Sequence, residues 1–225
     1  MVTRIVFEKE LKDLHIELLK MCGMVEESIE RTIEALNKKD AKIAHEVFAN
    51  DDVIDEQEKI IERKCLNIIA RQQPLAKDLR FVSTTLKIIT DLERIADQSA
   101  DIAEITLRIV DQPYIKPLVD IPKMAEFTRF MVKESIDAYV SEDVELARKV
   151  CKDDNIVDDL FIKITLDLVN IMKADSNTVD QAINLMFVAK YLERMSDHAT
   201  NIGEWVIYNV TGEQKHAPGF QKSQR

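Results

Sequence analysis

The chain has 225 residues, 46% hydrophobic and 32% charged, with only 4 Gly and 5 Pro, so long unbroken helices are favoured and a β-rich fold is not expected. Lys and Arg number 31 against 41 Asp and Glu, and the formal charge of −10 repels a nucleic-acid backbone. No run approaches the ~20 apolar residues that span a bilayer, and Arg4, Glu8, Lys9 and Glu10 interrupt the N-terminus before a secretory core forms, so a cytoplasmic protein with no membrane insertion is expected.

Apolar residues recur at steps of three and four, the spacing that makes one stripe of a helix. Leu11, Leu14, Leu18, Cys22, Val25, Ile29 and Leu36 mark a first helix. Ala44, Val47, Ile54, Ile61, Cys65 and Ile68 mark a second. Leu79, Val82, Leu86, Ile89, Ala96, Ala100, Ala103 and Leu107 mark a third. Each spans about 30 residues, or ~45 Å, and rods of that length joined by short loops pack as an antiparallel bundle.

Residues 112–122 carry three prolines and read as a linker, after which the pattern begins again. Leu92-Glu93-Arg94-Ile95-Ala96-Asp97 returns one hundred positions later as Leu192-Glu193-Arg194-Met195-Ser196-Asp197. Upstream the offset is 103, which pairs Ala44, Val47, Asp51, Ile54 and Asp55 with Ala147, Val150, Asp154, Val157 and Asp158. The three-residue change falls in the turns Arg71–Asp78 and Lys173–Thr178. The fold class is therefore all-α, with two tandem, pseudo-symmetric three-helix bundles over residues 1–111 and 123–210. A polar tail over 211–225 is expected to be disordered.

Acids interrupt the stripes where leucines would otherwise continue. Asp51 follows Ala44 and Val47, Glu93 follows Leu86 and Ile89, and Asp154 and Glu193 repeat this in the second copy. Each has an Asp four residues on, giving the pairs Asp51/Asp55, Glu93/Asp97, Asp154/Asp158 and Glu193/Asp197. That spacing stacks like charges on one helix face, which destabilises a helix unless something positive intervenes. A hard cation held by carboxylates of two neighbouring helices is one solution, with Asp101, Asn201 and His198 as further candidate ligands. Neutralisation by Arg94, Arg194 and nearby lysines on a solvated face is the other.

Cys22, Cys65 and Cys151 lack paired spacing and read as reduced packing residues. His15, His45, His198 and His216 stand apart, and no Gly-rich phosphate loop, His-Glu-x-x-His helix or nucleophile elbow occurs, so an enzyme is not expected.

Two features resemble the PhoU family of phosphate-transport regulators. Arg71-Gln72-Gln73-Pro74-Leu75-Ala76-Lys77-Asp78-Leu79-Arg80 is similar to that family's Arg-Gln-Pro…Asp-Leu-Arg turn, with one extra Gln, and the Glu-Arg-x-x-Asp segments at Glu93 and Glu193 match its acidic motifs. The resemblance covers residues 5 to 208 and implies paired three-helix bundles, metal at the four acid pairs (iron, zinc, manganese or magnesium), and a homodimer. It also implies contact with the ATPase subunit of a phosphate ABC transporter and with a phosphate-sensing histidine kinase, repressing starvation genes. Asn201 stands where the first copy has Asp101, and the second copy lacks the Arg-Gln-Pro turn, so the two sites need not bind metal equally. A metal-dependent phosphohydrolase or ferroxidase, or a helical metal-binding scaffold, are the rival readings.

Overall fold

The computed structural model describes residues 2–212. It contains six long helices and, among the described residues, no strand: α1 (Val2–Lys38), α2 (Ala41–Gln72), α3 (Ala76–Ile109), α4 (Asp120–Ser141), α5 (Val144–Ala174) and α6 (Val179–Thr211), with one 3-10 turn at Ser176–Thr178. The tail expected beyond Gly212 lies outside the described residues.

The turns between helices show the repeat most plainly. Lys39 (φ 52°) and Glu142 (φ 53°), 103 residues apart, are left-handed residues that end α1 and α4. Each is followed by an Asp cap: Asp40 accepts from the Lys42 and Ile43 backbone N–H groups, and Asp143 from those of Glu145 and Leu146. Gly212 (φ 78°) closes α6, its N–H donating to the Tyr208 carbonyl. Helix α4 starts inside the expected linker, at Asp120, and carries Pro122 in its first turn, where a missing N–H costs nothing.

Helices α1–α3 pack on one another, as do α4–α6, giving the two bundles. The expected stripe residues from Leu14 to Leu36 on α1 and from Ala44 to Ile68 on α2 are buried, whereas Leu79, near the start of α3, is 42% exposed. Two buried hydroxyls are satisfied within their own helices: Thr32 donates to the Ser28 carbonyl at 2.8 Å and Thr106 to the Ile102 carbonyl at 2.9 Å.

The two bundles are not beads on a string. Helix α3 packs along α6 and α1 meets α4, and one continuous apolar cluster contains Leu14, Ile61, Ile95, Met131, Val157 and Leu192. Across this contact Thr85 and the buried Tyr139 hydroxyl lie 3.2 Å apart, and the Tyr139 ring stacks with those of His15 and Phe81 at centroid distances of 6.0 and 6.1 Å. The connecting segment is tied down at both sides. Gln181, buried at the start of α6, accepts from the Ile115 N–H at 2.7 Å and donates to the Pro113 carbonyl at 3.0 Å, while the Tyr114 hydroxyl donates to the Leu36 carbonyl.

Candidate functional site

Antiparallel packing of α2 on α3 brings the first-repeat acids together. One oxygen from each of Asp51, Asp55 and Asp97 lies within 4.8 Å of the others, and all three residues are half-buried. Asp51 Oδ1 and Asp55 Oδ1 are buried without a hydrogen-bond partner. Such oxygens are costly unless something fills their lone pairs, which suits a hard cation.

Glu93 sits beside this group, next to Asp97, Glu58 and Asp55. Arg94 is the counter-charge, 2.8 Å from Asp97 and 3.4 Å from Glu93. It does not offset the crowding. Burial, then the Asp97 and Asp55 charges, push the Asp51 carboxyl up to about 6. Burial first and Asp97 second push Glu93 up to about 7, against the lowering effect of Arg94. Carboxyls whose hold on a proton is strengthened in this way would give up that proton to a bound cation.

The second repeat keeps the register but not the constellation. Cys151 Sγ lies 3.7 Å from the Thr200 carbonyl oxygen and Lys190 Nζ sits 5.4 Å from the Phe161 ring centre, flanking the stretch where Asp154 and Asp158 lie opposite Asp197 and Glu193. Asp154 is buried, Asp158 is exposed, and Glu193 accepts from Lys190 at 2.5 Å. Among the described residues, the Asp51–Asp55–Asp97 group is the one set of three metal-type ligands that converges.

The further candidate ligands are engaged elsewhere. His198 Nδ1 meets Asp91 Oδ1 at 2.8 Å, and Asn201 donates to the same oxygen at 3.1 Å, both across the α3–α6 contact. The Tyr191 hydroxyl donates to Asp101, whose carboxyl is raised by burial and then by the Asp97 charge of the cluster and lowered by Tyr191. Asp91 and Tyr191 are equivalent positions, as are Asp101 and Asn201, so the two contacts are images of each other about a pseudo-two-fold axis. Asp91 and Tyr191 escape a reading by acid pairs, because neither belongs to one. Their only signal is the one-hundred-residue offset. Beside the contact, a groove of about 540 Å³ opens between α2, α3 and α6, lined by Glu58, Glu62, Lys87, Asp91 and Trp205 among others.

The PhoU domain model matches residues 18–106 and again 121–206. The chain belongs to the PhoU family. A relative from Clostridium acetobutylicum, a phosphate-specific transport system accessory protein PhoU homolog, is 43% identical over 95% of this chain and 98% of its own length. A homolog of the same description from Aquifex aeolicus is 39% identical over 91% and 93%. The crystal structure of PhoU from Pseudomonas aeruginosa superposes with a TM-score of 0.89 at 34% identity, covering 92% of this chain and all of that one. The phosphate transport system regulatory protein PhoU from Streptococcus pneumoniae gives 0.86 at 25% identity, covering 92% and 98%. PhoU membership agrees with the resemblance of the Arg71–Arg80 turn and the Glu93 and Glu193 motifs. No helix of the described residues is long and apolar enough to cross a membrane.

Proposed function

We propose that this chain is a cytoplasmic, non-enzymatic regulator of phosphate uptake and phosphate-starvation signalling. It acts by contact with the ATPase subunit of a phosphate ABC transporter and with a phosphate-sensing histidine kinase. What carries the reading is that both halves match the PhoU domain and that relatives described as phosphate-transport accessory proteins align over nearly the whole chain. Contact regulation requires only that the chain bind two states of a partner with different affinity.

Asp51, Asp55 and Asp97 would hold a cation such as iron, zinc, manganese or magnesium, with Glu93 beside them. The bound ion would supply positive charge that ties α2 to α3 on an acidic face. Asp154, Asp158, Glu193 and Asp197, with Asp101 and Asn201 turned to the α3–α6 contact, form a weaker second candidate.

The test is genetic and biochemical together. Deletion should raise phosphate uptake and derepress starvation genes, and tagged protein should retain the transporter ATPase subunit or the kinase. Failure to retain either partner, with metal supplied, would count against the reading. So would turnover of a phosphate ester or Fe(II) that is lost in Glu93→Ala. Elemental analysis of Asp51→Asn/Asp97→Asn should show bound metal reduced on the order of tenfold or more, with helix content unchanged.

A further inference from the structure

A pocket of about 340 Å³ opens between α1, α3, α4 and the end of α6, where the two bundles meet. Its wall holds the Tyr139 ring, stacked with those of His15 and Phe81. Lys12, Lys77, Asp78 and Glu142 line its polar side. Lys77 and Asp78 come from the Arg71–Arg80 turn, which the metal-site acids leave without a role. Asn209 also lines the pocket; it is 3% exposed, and its Oδ1 is buried without a hydrogen-bond partner. An unpaired oxygen of that kind is costly. The first repeat has Ile109 at the equivalent position, so the fold itself does not require an amide there.

The pseudo-two-fold mate of this corner is filled by the chain itself. Leu36, Lys39 and Gln181 stand there in place of Tyr139, Glu142 and Phe81. The Tyr114 ring sits under Lys39, whose Nζ is 4.1 Å from its centre, and its hydroxyl donates to the Leu36 carbonyl. The Gln181 amide accepts from the Ile115 N–H at 2.7 Å and donates to the Pro113 carbonyl at 3.0 Å. A planar ring beside an amide bonded through both its oxygen and its nitrogen thus completes the mate. On this side Asn209 offers the amide, and among the described residues no segment fills the space in front of the rings.

We propose that this pocket binds an adenine nucleotide, the base lying against the rings and pairing with the Asn209 amide. An asparagine amide pairs with adenine in two bonds, its oxygen accepting from the exocyclic amine and its nitrogen donating to N7. A small rotation of the Asn209 side chain brings Oδ1 to that amine and ends its isolation. Guanine presents a carbonyl oxygen where adenine has the amine, and two acceptors would then face each other. The aromatic wall stacks on the base. Asp78 and Glu142 are acceptors for ribose hydroxyls, as acids beside nucleotides commonly are. Lys12 and Lys77 take the phosphate, with Lys77 leaving Glu142, now 3.1 Å away. The first turn of α3 favours the same negative charge, since its cap residue Leu75 makes no side-chain hydrogen bond. The volume lies in the range of small-molecule sites. The inference goes beyond the regulatory reading and uses none of the metal-site acids.

Isothermal titration calorimetry on the full chain tests it, with chelator present so that no metal at Asp51, Asp55 and Asp97 recruits the phosphate. AMP should bind saturably with a dissociation constant of about 1–100 μM. GMP and adenosine should each bind on the order of tenfold more weakly, and inorganic phosphate should give no saturable heat. Asn209→Ile, which installs the first repeat's residue, should weaken AMP on the order of tenfold or more with an unchanged circular dichroism spectrum. Should that variant fold poorly, Lys12→Ala, at an exposed position, should bring AMP to the affinity of adenosine while leaving adenosine itself unchanged. No saturable AMP binding up to about 1 mM overturns the proposal. So does GMP, adenosine or phosphate binding as tightly as AMP, or AMP affinity that survives both substitutions.

Discussion

Asp51 shows how one side chain can be read in a sequence and still be incomplete there. Its folded carboxyl titrates at about 6 and that of Glu93 at about 7, both above their ordinary values of 3.8 and 4.5. Folding therefore favours the protonated forms. The stability they lend is fully present below pH 4 and is lost as pH rises through about 6 and 7. In chelator-treated protein at pH 8, Asp51→Asn should accordingly raise stability by about 1 kcal/mol, discounted because the group is only half-buried, and thermal melts at pH 4 should show the gain vanish. With metal bound the sign should invert, since the same change removes a ligand. The spacing of Asp51, Asp55, Glu93 and Asp97 was legible because four residues make one helix face. The engagement of His198, Asn201 and Asp101 was not, since their partners Asp91 and Tyr191 come from the opposite repeat and no spacing within one helix encodes that approach.

At the level of helices, the stripes from Leu14 to Ile68 were readable because core packing leaves little choice of residue type. The start of α4 was not, because Pro122 signals a break in a chain segment but is harmless in a helix's first turn. The sharp α1–α2 and α4–α5 turns also lacked a glycine signal: Lys39 and Glu142 occupy left-handed conformations that cost a side-chain residue energy. Glu142→Gly should therefore stabilise the protein by about 0.5–1 kcal/mol, read as a rise in the urea midpoint at unchanged slope. Gly203 predicts the opposite. A Cβ there would stand 3.1 Å from the Ala147 carbonyl oxygen and 3.3 Å from Cys151 Sγ, so Gly203→Ala should press the α5 backbone back by a few tenths of an ångström and, net of alanine's helix preference, cost about 1 kcal/mol by the same measurement.

For the molecule as a whole, the prolines of 112–122 mark a boundary in the chain, yet the apolar core passes across it. The protein should therefore unfold in one calorimetric transition, with calorimetric and van't Hoff enthalpies equal, instead of two. Gln181→Ala, which strips the Ile115 N–H of its partner, should lower that transition by about 1–3 kcal/mol without splitting it. The pseudo-two-fold contact also constrains ancestry. Were two identical first repeats to face each other as α3 now faces α6, Asp91 would meet Gln98 and Asp101 of its twin, carboxylate opposite carboxylate on either side of the axis. Histidine, asparagine and tyrosine at 198, 201 and 191 relieve that conflict in the tandem chain. The halves have become unlike where they touch, and neither could now replace its sibling.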